Sequence, residues 1–138
     1  MQNIKRLDLA DAGTLLAAAK AAAQAIGVSM CIAIVDDSGN LIAFERMDGG
    51  KIVSITIAID KAFTAAAARR ATHDYNTASQ PGMPAYGVNT ALGGRMIVVG
   101  GGLPVVWDGA VVGGIGVSSG TPEQDRLVAQ EAIDRFLS

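Results

Sequence analysis

The sequence holds one cysteine and one histidine. Cys31 alone cannot close an intrachain disulfide, so a cystine framework is excluded, and the pair is too small for a multi-cysteine zinc site. Charge is scarce as well: 17% of residues are charged and 4% aromatic. The 11 basic and 13 acidic side chains leave a net charge of −2. No like-charge run exceeds the pairs Lys5-Arg6, Asp36-Asp37 and Arg69-Arg70, so nucleic acid is not an expected partner. Nothing approaches the roughly 18 uninterrupted apolar residues of a membrane helix. The opening MQNIKRLDLADAG lacks a signal-peptide apolar region, so a cytoplasmic protein away from the membrane is expected.

What the chain has in abundance is small residues, with 24 alanines and 17 glycines among 138 positions, half of them hydrophobic. This length buries a core without staples, and one domain over residues 1–138 is expected, with no repeat or linker. So apolar a chain with so few charges implies surface covered by copies of itself, hence a homo-oligomer.

Apolar residues recur at helical spacing over 8–27, with Asp8 placed to cap and Gly27 to stop an alanine-rich helix. Residues 28–35 alternate, and the cluster 36–40 turns the chain into a second strand at 41–47. From Ile52 strand propensity and helical spacing compete. The run of alanines at 65–68 decides for a helix ending near Thr72, with Asp48 placed to cap it. Residues 73–94 hold two prolines, several glycines and both tyrosines without a period, which predicts a long loop of the kind that often carries function. Three short strands follow at 95–99, 103–107 and 110–118, the last two joined by Asp108-Gly109, and Thr121-Pro122-Glu123-Gln124 opens a final helix. The expected fold is α+β, in the order αββα(loop)βββα, with a five-stranded antiparallel sheet carrying helices.

Chemistry-bearing residues are sparse. His73 is a candidate axial ligand for a haem iron or corrinoid cobalt, or a loop histidine bonded locally. The glycine-rich stretches at 100–102 and 113–120 match neither dinucleotide nor P-loop patterns. A strand carrying Gly113, Gly114 and Gly116 admits another backbone or a flat ligand, and 118–120 leads into the positive end of the last helix. Lys61 stands in an otherwise apolar helix. Buried, it becomes a usable base or imine-forming amine, and otherwise it snorkels to the helix edge. A lone histidine, a lone cysteine and no GxSxG frame argue against a hydrolytic triad.

These pieces form a longer pattern. Arg46-Met47-Asp48-Gly49, then Ser54, Ala58 and Lys61-Ala62-Phe63-Thr64-Ala65, then Gly101-Gly102-Leu103-Pro104-Val105, Asp108-Gly109, 112–118 and Gln124-Asp125 follow in order. This arrangement resembles the GlcG/HbpS family, which also supplies the C-terminal domain of PduO-type proteins. The resemblance spans nearly the whole chain. It implies a profilin/PAS-like α+β domain assembling into dimers and commonly octamers, with some members binding or degrading haem and many encoded in catabolic operons. Haem-binding relatives use a histidine, in some near the first helix. This sequence has none there, and His73 is the only imidazole.

Three readings follow. In the first, an oligomer binds haem or a related flat cofactor at a glycine-lined pocket, with Arg46, Asp48, Arg70, Tyr86, Gly102, Gly116, Ser118 and Gln124 as candidate ligand-binding residues and His73 as the candidate metal ligand. In the second, a lyase, isomerase or hydrolytic enzyme acts on a carboxylate or carbonyl compound, with Lys61 or Asp125 moving protons and Arg46 or Arg70 holding the carboxylate. In the third, the motifs are packing signals of a structural subunit.

Overall fold

Side-chain capping fixes two of the helix starts. Asp8 accepts from the Asp11 amide while the Asp11 carboxylate accepts from the Asp8 amide, a reciprocal box that opens α1 (Leu9–Ala25). Thr121 and Gln124 make the same exchange across Pro122, the first residue of α4 (Pro122–Leu137). These helices lie side by side. The structure, a computed structural model, describes residues 1–138.

Between them run β1 (Cys31–Asp36), β2 (Leu41–Arg46), α2 (Val53–Ala68), the short α3 (Asp74–Ala78), irregular 3-10 turns over Val88–Gly94, β3 (Gly102–Trp107) and β4 (Ala110–Ser118). The strands form one sheet in the order β2-β1-β4-β3, antiparallel at every pairing. The Asp36 carboxylate takes the amides of Ser38 and Asn40 to close the first hairpin. Asp108 and Gly109, at φ 50° and 77°, close the second.

The expected α+β antiparallel architecture is present, but the sheet has four strands and not five. Residues 95–99 leave the ladder because α2 and its C-terminal extension hold them. Thr64 Oγ1 donates to the Arg95 carbonyl and accepts from the Ile97 amide, both at 3.0 Å. Thr72 Oγ1 donates to the Val99 carbonyl at 2.6 Å, and Arg95 pairs with Asp60 at 3.0 Å while stacking over Phe63. Two hydroxyls thus satisfy backbone groups that a neighbouring strand would have taken.

Two more expectations fail at α2. Its N-cap is Ile52, with no side-chain cap, so Asp48 does not cap it; and it ends at Ala68, where Arg69 turns left-handed at φ 56°, and not near Thr72. The sheet has a layer on each face. Ile32, Ile34, Val105, Ile115 and Val117 bury against Leu15, Leu16, Ala19, Val128 and Ala132 of α1 and α4. Cys31, Ala33 and Val35 bury against Ala58, Ala62 and Ala66 of α2.

Gly114 and Gly116 stand on that second face. A Cβ on Gly114 would lie 2.7 Å from the Ala62 carbonyl oxygen, and one on Gly116 would strike the Ala58 carbonyl. The stripe of small residues therefore admits the α2 backbone, the close approach that glycine in a strand allows. No helix is long and apolar enough to cross a membrane.

Candidate functional site

The largest fully buried side chain in the chain is Lys61. The α2 face that carries Ala58 and Ala62 onto the sheet also points Lys61 inward at the end of β4, so it does not snorkel. Its Nζ donates to the Val117 carbonyl and to Asp125 Oδ2, each at 2.9 Å. Asp125 comes from the first turn of α4, and its other oxygen accepts from the Gly120 amide at 2.9 Å. Both partners are about 2% exposed.

Burial dominates the electrostatics. Desolvation pulls the Lys61 ammonium below the usual lysine range, and the Asp125 hydrogen bond and charge counter it only partly. Desolvation likewise pushes the Asp125 carboxyl up, against the opposing pull of Lys61, the Gly120 amide and the more distant Lys51. The proton is therefore held less firmly on nitrogen, and more firmly on oxygen, than in water. The pair floors a cleft of about 230 Å³ walled by Ile57, Ile97, Val99 and Pro122, with Ser118 and Gly120 at its side. Gly101, at φ 125°, packs against the pair: a Cβ there would stand 2.5 Å from the Val117 carbonyl oxygen and 2.8 Å from both Asp125 Cβ and Lys61 Nζ.

A second feature is the connection between α2 and β3. From residue 73 to residue 99 no position is buried. Yet Met83, Tyr86, Leu92 and Val99 are exposed on it. His73 heads this stretch, half-buried, with Nε2 3.4 Å from an Asp74 carboxylate oxygen. Its Nδ1 is buried without a hydrogen-bond partner. Asn76, Gly100, Glu123 and Arg126 surround it in a largely polar cleft of about 350 Å³.

Of the residues singled out from sequence, Lys61, Asp125 and Ser118 converge. The others scatter. Arg46 and Asp48 line a separate polar groove with Lys20 and Glu45. Arg70 lies at the end of α2 against Asp74 and Tyr75. Gln124 is spent on the cap of α4. Tyr86 is exposed. Gly102 and Gly116 pack on the α2 backbone, where added Cβ atoms would meet the carbonyls of Lys61 and Ala58, so neither glycine lines a ligand hollow. No three His, Cys, Asp or Glu residues gather where they could hold a metal ion.

Sequence reasoning missed the threonines 64 and 72, whose hydroxyls set the wall of the cleft. It also missed Ile97 and Val99, read as strand residues, and Arg126 beside His73. The one available signal was a threonine within an alanine-rich helix and a second just past its end, too common a pattern to decide anything.

Comparison with known proteins places this geometry. The chain is 42% identical over 135 residues to an uncharacterized 15.0 kDa protein in the dhaT-dhaS intergenic region of Citrobacter freundii, covering 98% of this chain and 95% of that one. It is 39% identical over 127 residues to the corrinoid adenosyltransferase PduO of Salmonella typhimurium, covering 92% of this chain but only 38% of that protein's length. A solved structure of a PduOC:heme complex superposes with a TM-score of 0.90 at 38% identity, covering 94% of each chain. The sequence model of the haem degrading protein HbpS-like family matches residues 7–134. With the order of motifs, the antiparallel sheet and this match in agreement, the chain belongs to the GlcG/HbpS family.

Proposed function

We propose that the chain is a haem-binding protein acting as an assembly of copies, with haem seated on the outer surface of the 73–94 stretch and His73 as its iron ligand. The carrying observation is one of donor chemistry. Protein ligands to haem iron are histidine, cysteine, methionine and tyrosine. Cys31 is buried beneath α2. The only imidazole and both phenols of the chain, His73, Tyr75 and Tyr86, lie with Met83 on one stretch that buries none of its residues.

Imidazole ligation needs one uncommitted ring nitrogen, with the other oriented by a hydrogen-bond partner. In His73 neither ring nitrogen makes a hydrogen bond within the chain: Nδ1 is enclosed, and Nε2, 3.4 Å from an Asp74 carboxylate oxygen, is the nitrogen this reading offers to iron. Arg126 in the same cleft supplies a guanidinium suited to a propionate carboxylate. When bound, haem supplies the redox-active iron, and the chain supplies ligand, charge and walls. The kinship to a protein solved as a heme complex supports the choice of ligand.

The surroundings of His73 give haem one polar wall. A flat macrocycle needs apolar cover on its second face, and the exposed Met83, Tyr86 and Leu92 on the same stretch are suited to an interface where another copy provides it. Hemin titration followed by absorbance tests the reading. A saturable Soret band is expected, with affinity at least about tenfold weaker in His73→Ala, a loss of about 1.4 kcal/mol. Sedimentation is expected to give a species larger than one chain. A flat titration overturns haem binding, and an unchanged band in His73→Ala overturns the ligand.

A further inference from the structure

We infer that the cleft over Lys61 and Asp125, which adjoins the His73 cleft across Val99 and Pro122, is a second site that captures a short-chain aldehyde or ketone as an imine on Lys61, with Asp125 as the proton acceptor. This inference does not draw on the haem reading, since the cleft stands at the meeting of α2, β4 and α4 and contains no group that ligates haem iron. Three observations carry it.

The first is an unpaired donor. A lysine ammonium has three N–H donors. Two are engaged, by Val117 and Asp125. The third has no partner in the chain, and Lys61 lines the cleft. The second is the cavity itself. A buried ion pair serving only to join two helices is no more stable than a well-packed apolar pair, and such a join needs no opening above it. Here about 230 Å³ lies over the pair, below the range of drug-sized pockets, and its apolar walls suit a ligand of a few carbon atoms. The third is Gly101. Any side chain at that position would press on Nζ, and its left-handed φ of 125° favours glycine independently.

The chemistry balances without another reagent. The Lys61 ammonium passes a proton to the Asp125 carboxylate, 2.9 Å away, leaving a neutral amine and a carboxylic acid. The nitrogen lone pair forms a C–N bond to the carbonyl carbon as the C=O π pair moves to oxygen, which takes the proton back from Asp125. Loss of that hydroxyl as water, with a proton taken from the nitrogen, leaves the C=N bond. Burial favours the first transfer, because it disfavours both charges of the resting pair.

The test uses the whole chain with acetaldehyde and sodium cyanoborohydride at neutral pH, followed by peptide mapping of ethylated lysines. Exposed lysines are almost wholly protonated there and react slowly. Lys61 is expected to be alkylated at least about tenfold faster than Lys5, Lys20 and Lys51, a preference of about 1.4 kcal/mol that disappears in urea. Labelling of Lys61 at or below the rate of those three overturns the inference. Asp125→Asn, checked for fold by circular dichroism, is expected to slow Lys61 at least about tenfold; an unchanged rate removes Asp125 from the mechanism. If that variant does not fold, Asp125→Glu is expected to retain the preference for Lys61, and its loss in a folded Glu variant overturns the role of the carboxylate.

Discussion

Gly116 of β4 and Ala58 of α2 meet backbone to backbone, with no room between them for a single methyl group. The same contact recurs one register step along, between Gly114 and Ala62. Helix and sheet are therefore closer here than side-chain packing permits, and the α2 face of the sheet is closed to ligands along Gly114 and Gly116.

Gly116→Ala is expected to destabilise the fold by about 3 kcal/mol, the upper range for overpacking, because the obstruction is backbone and cannot rotate away. Urea denaturation measures it. A loss under about 0.5 kcal/mol, the size of an ordinary surface substitution, would mean that α2 slides freely over the sheet.

The Lys61 and Asp125 pair gives a contrast between single and double substitutions. Lys61→Met or Asp125→Leu alone strands a buried charge and is expected to cost about 3–5 kcal/mol, whereas the two together are expected to be near neutral or stabilising. A double-mutant cycle in urea separates the cases. Additive losses would show that each side chain contributes through packing and not through the pair.

The pH dependence of the same pair has a definite sign. Asp125 has its carboxyl pKa raised in the fold, so its contribution is fully present below the unfolded carboxyl value and is lost as pH rises through the raised value. Lys61 has its pKa lowered, so its contribution grows as pH rises from the lowered value toward that of an unfolded lysine. The stability of the wild type relative to Lys61→Met with Asp125→Leu is therefore expected to fall from acid toward neutral pH and to recover in alkali. Denaturation midpoints across that range measure it, and a difference that peaks at neutral pH would contradict the burial of both charges.

Much of the architecture was legible. Asp8, Thr121 and Gln124 announced their caps, and Asp108-Gly109 its hairpin, because these signals act within four residues. The places of α1, α2, α4 and the two hairpins followed the expected order, with one strand fewer than expected. Residues 95–99 defeated the reading for the opposite reason. Their β-branched side chains describe a strand, yet their partners are the hydroxyls of Thr64 and Thr72, more than 25 positions away in the chain. Lys61 and Asp125 both stand in the motifs, but nothing in the motif order joins them; the fold makes them a pair, and it does so through the alanines and glycines that let α2 sink onto β4. The separation of Arg46 and Arg70 from Lys61 was not legible, since it follows from which end of α2 and which edge of the sheet each occupies.

With residues 95–99 tied to a helix, β3 has no neighbour on its outer side and forms a rim of the sheet. Pro104 within it contributes no amide hydrogen, and the strand is only six residues long. Both traits discourage a foreign strand from zipping on. At this rim another strand, a second copy's included, has little to pair with, so any contact made here falls to side chains and not to a continued ladder.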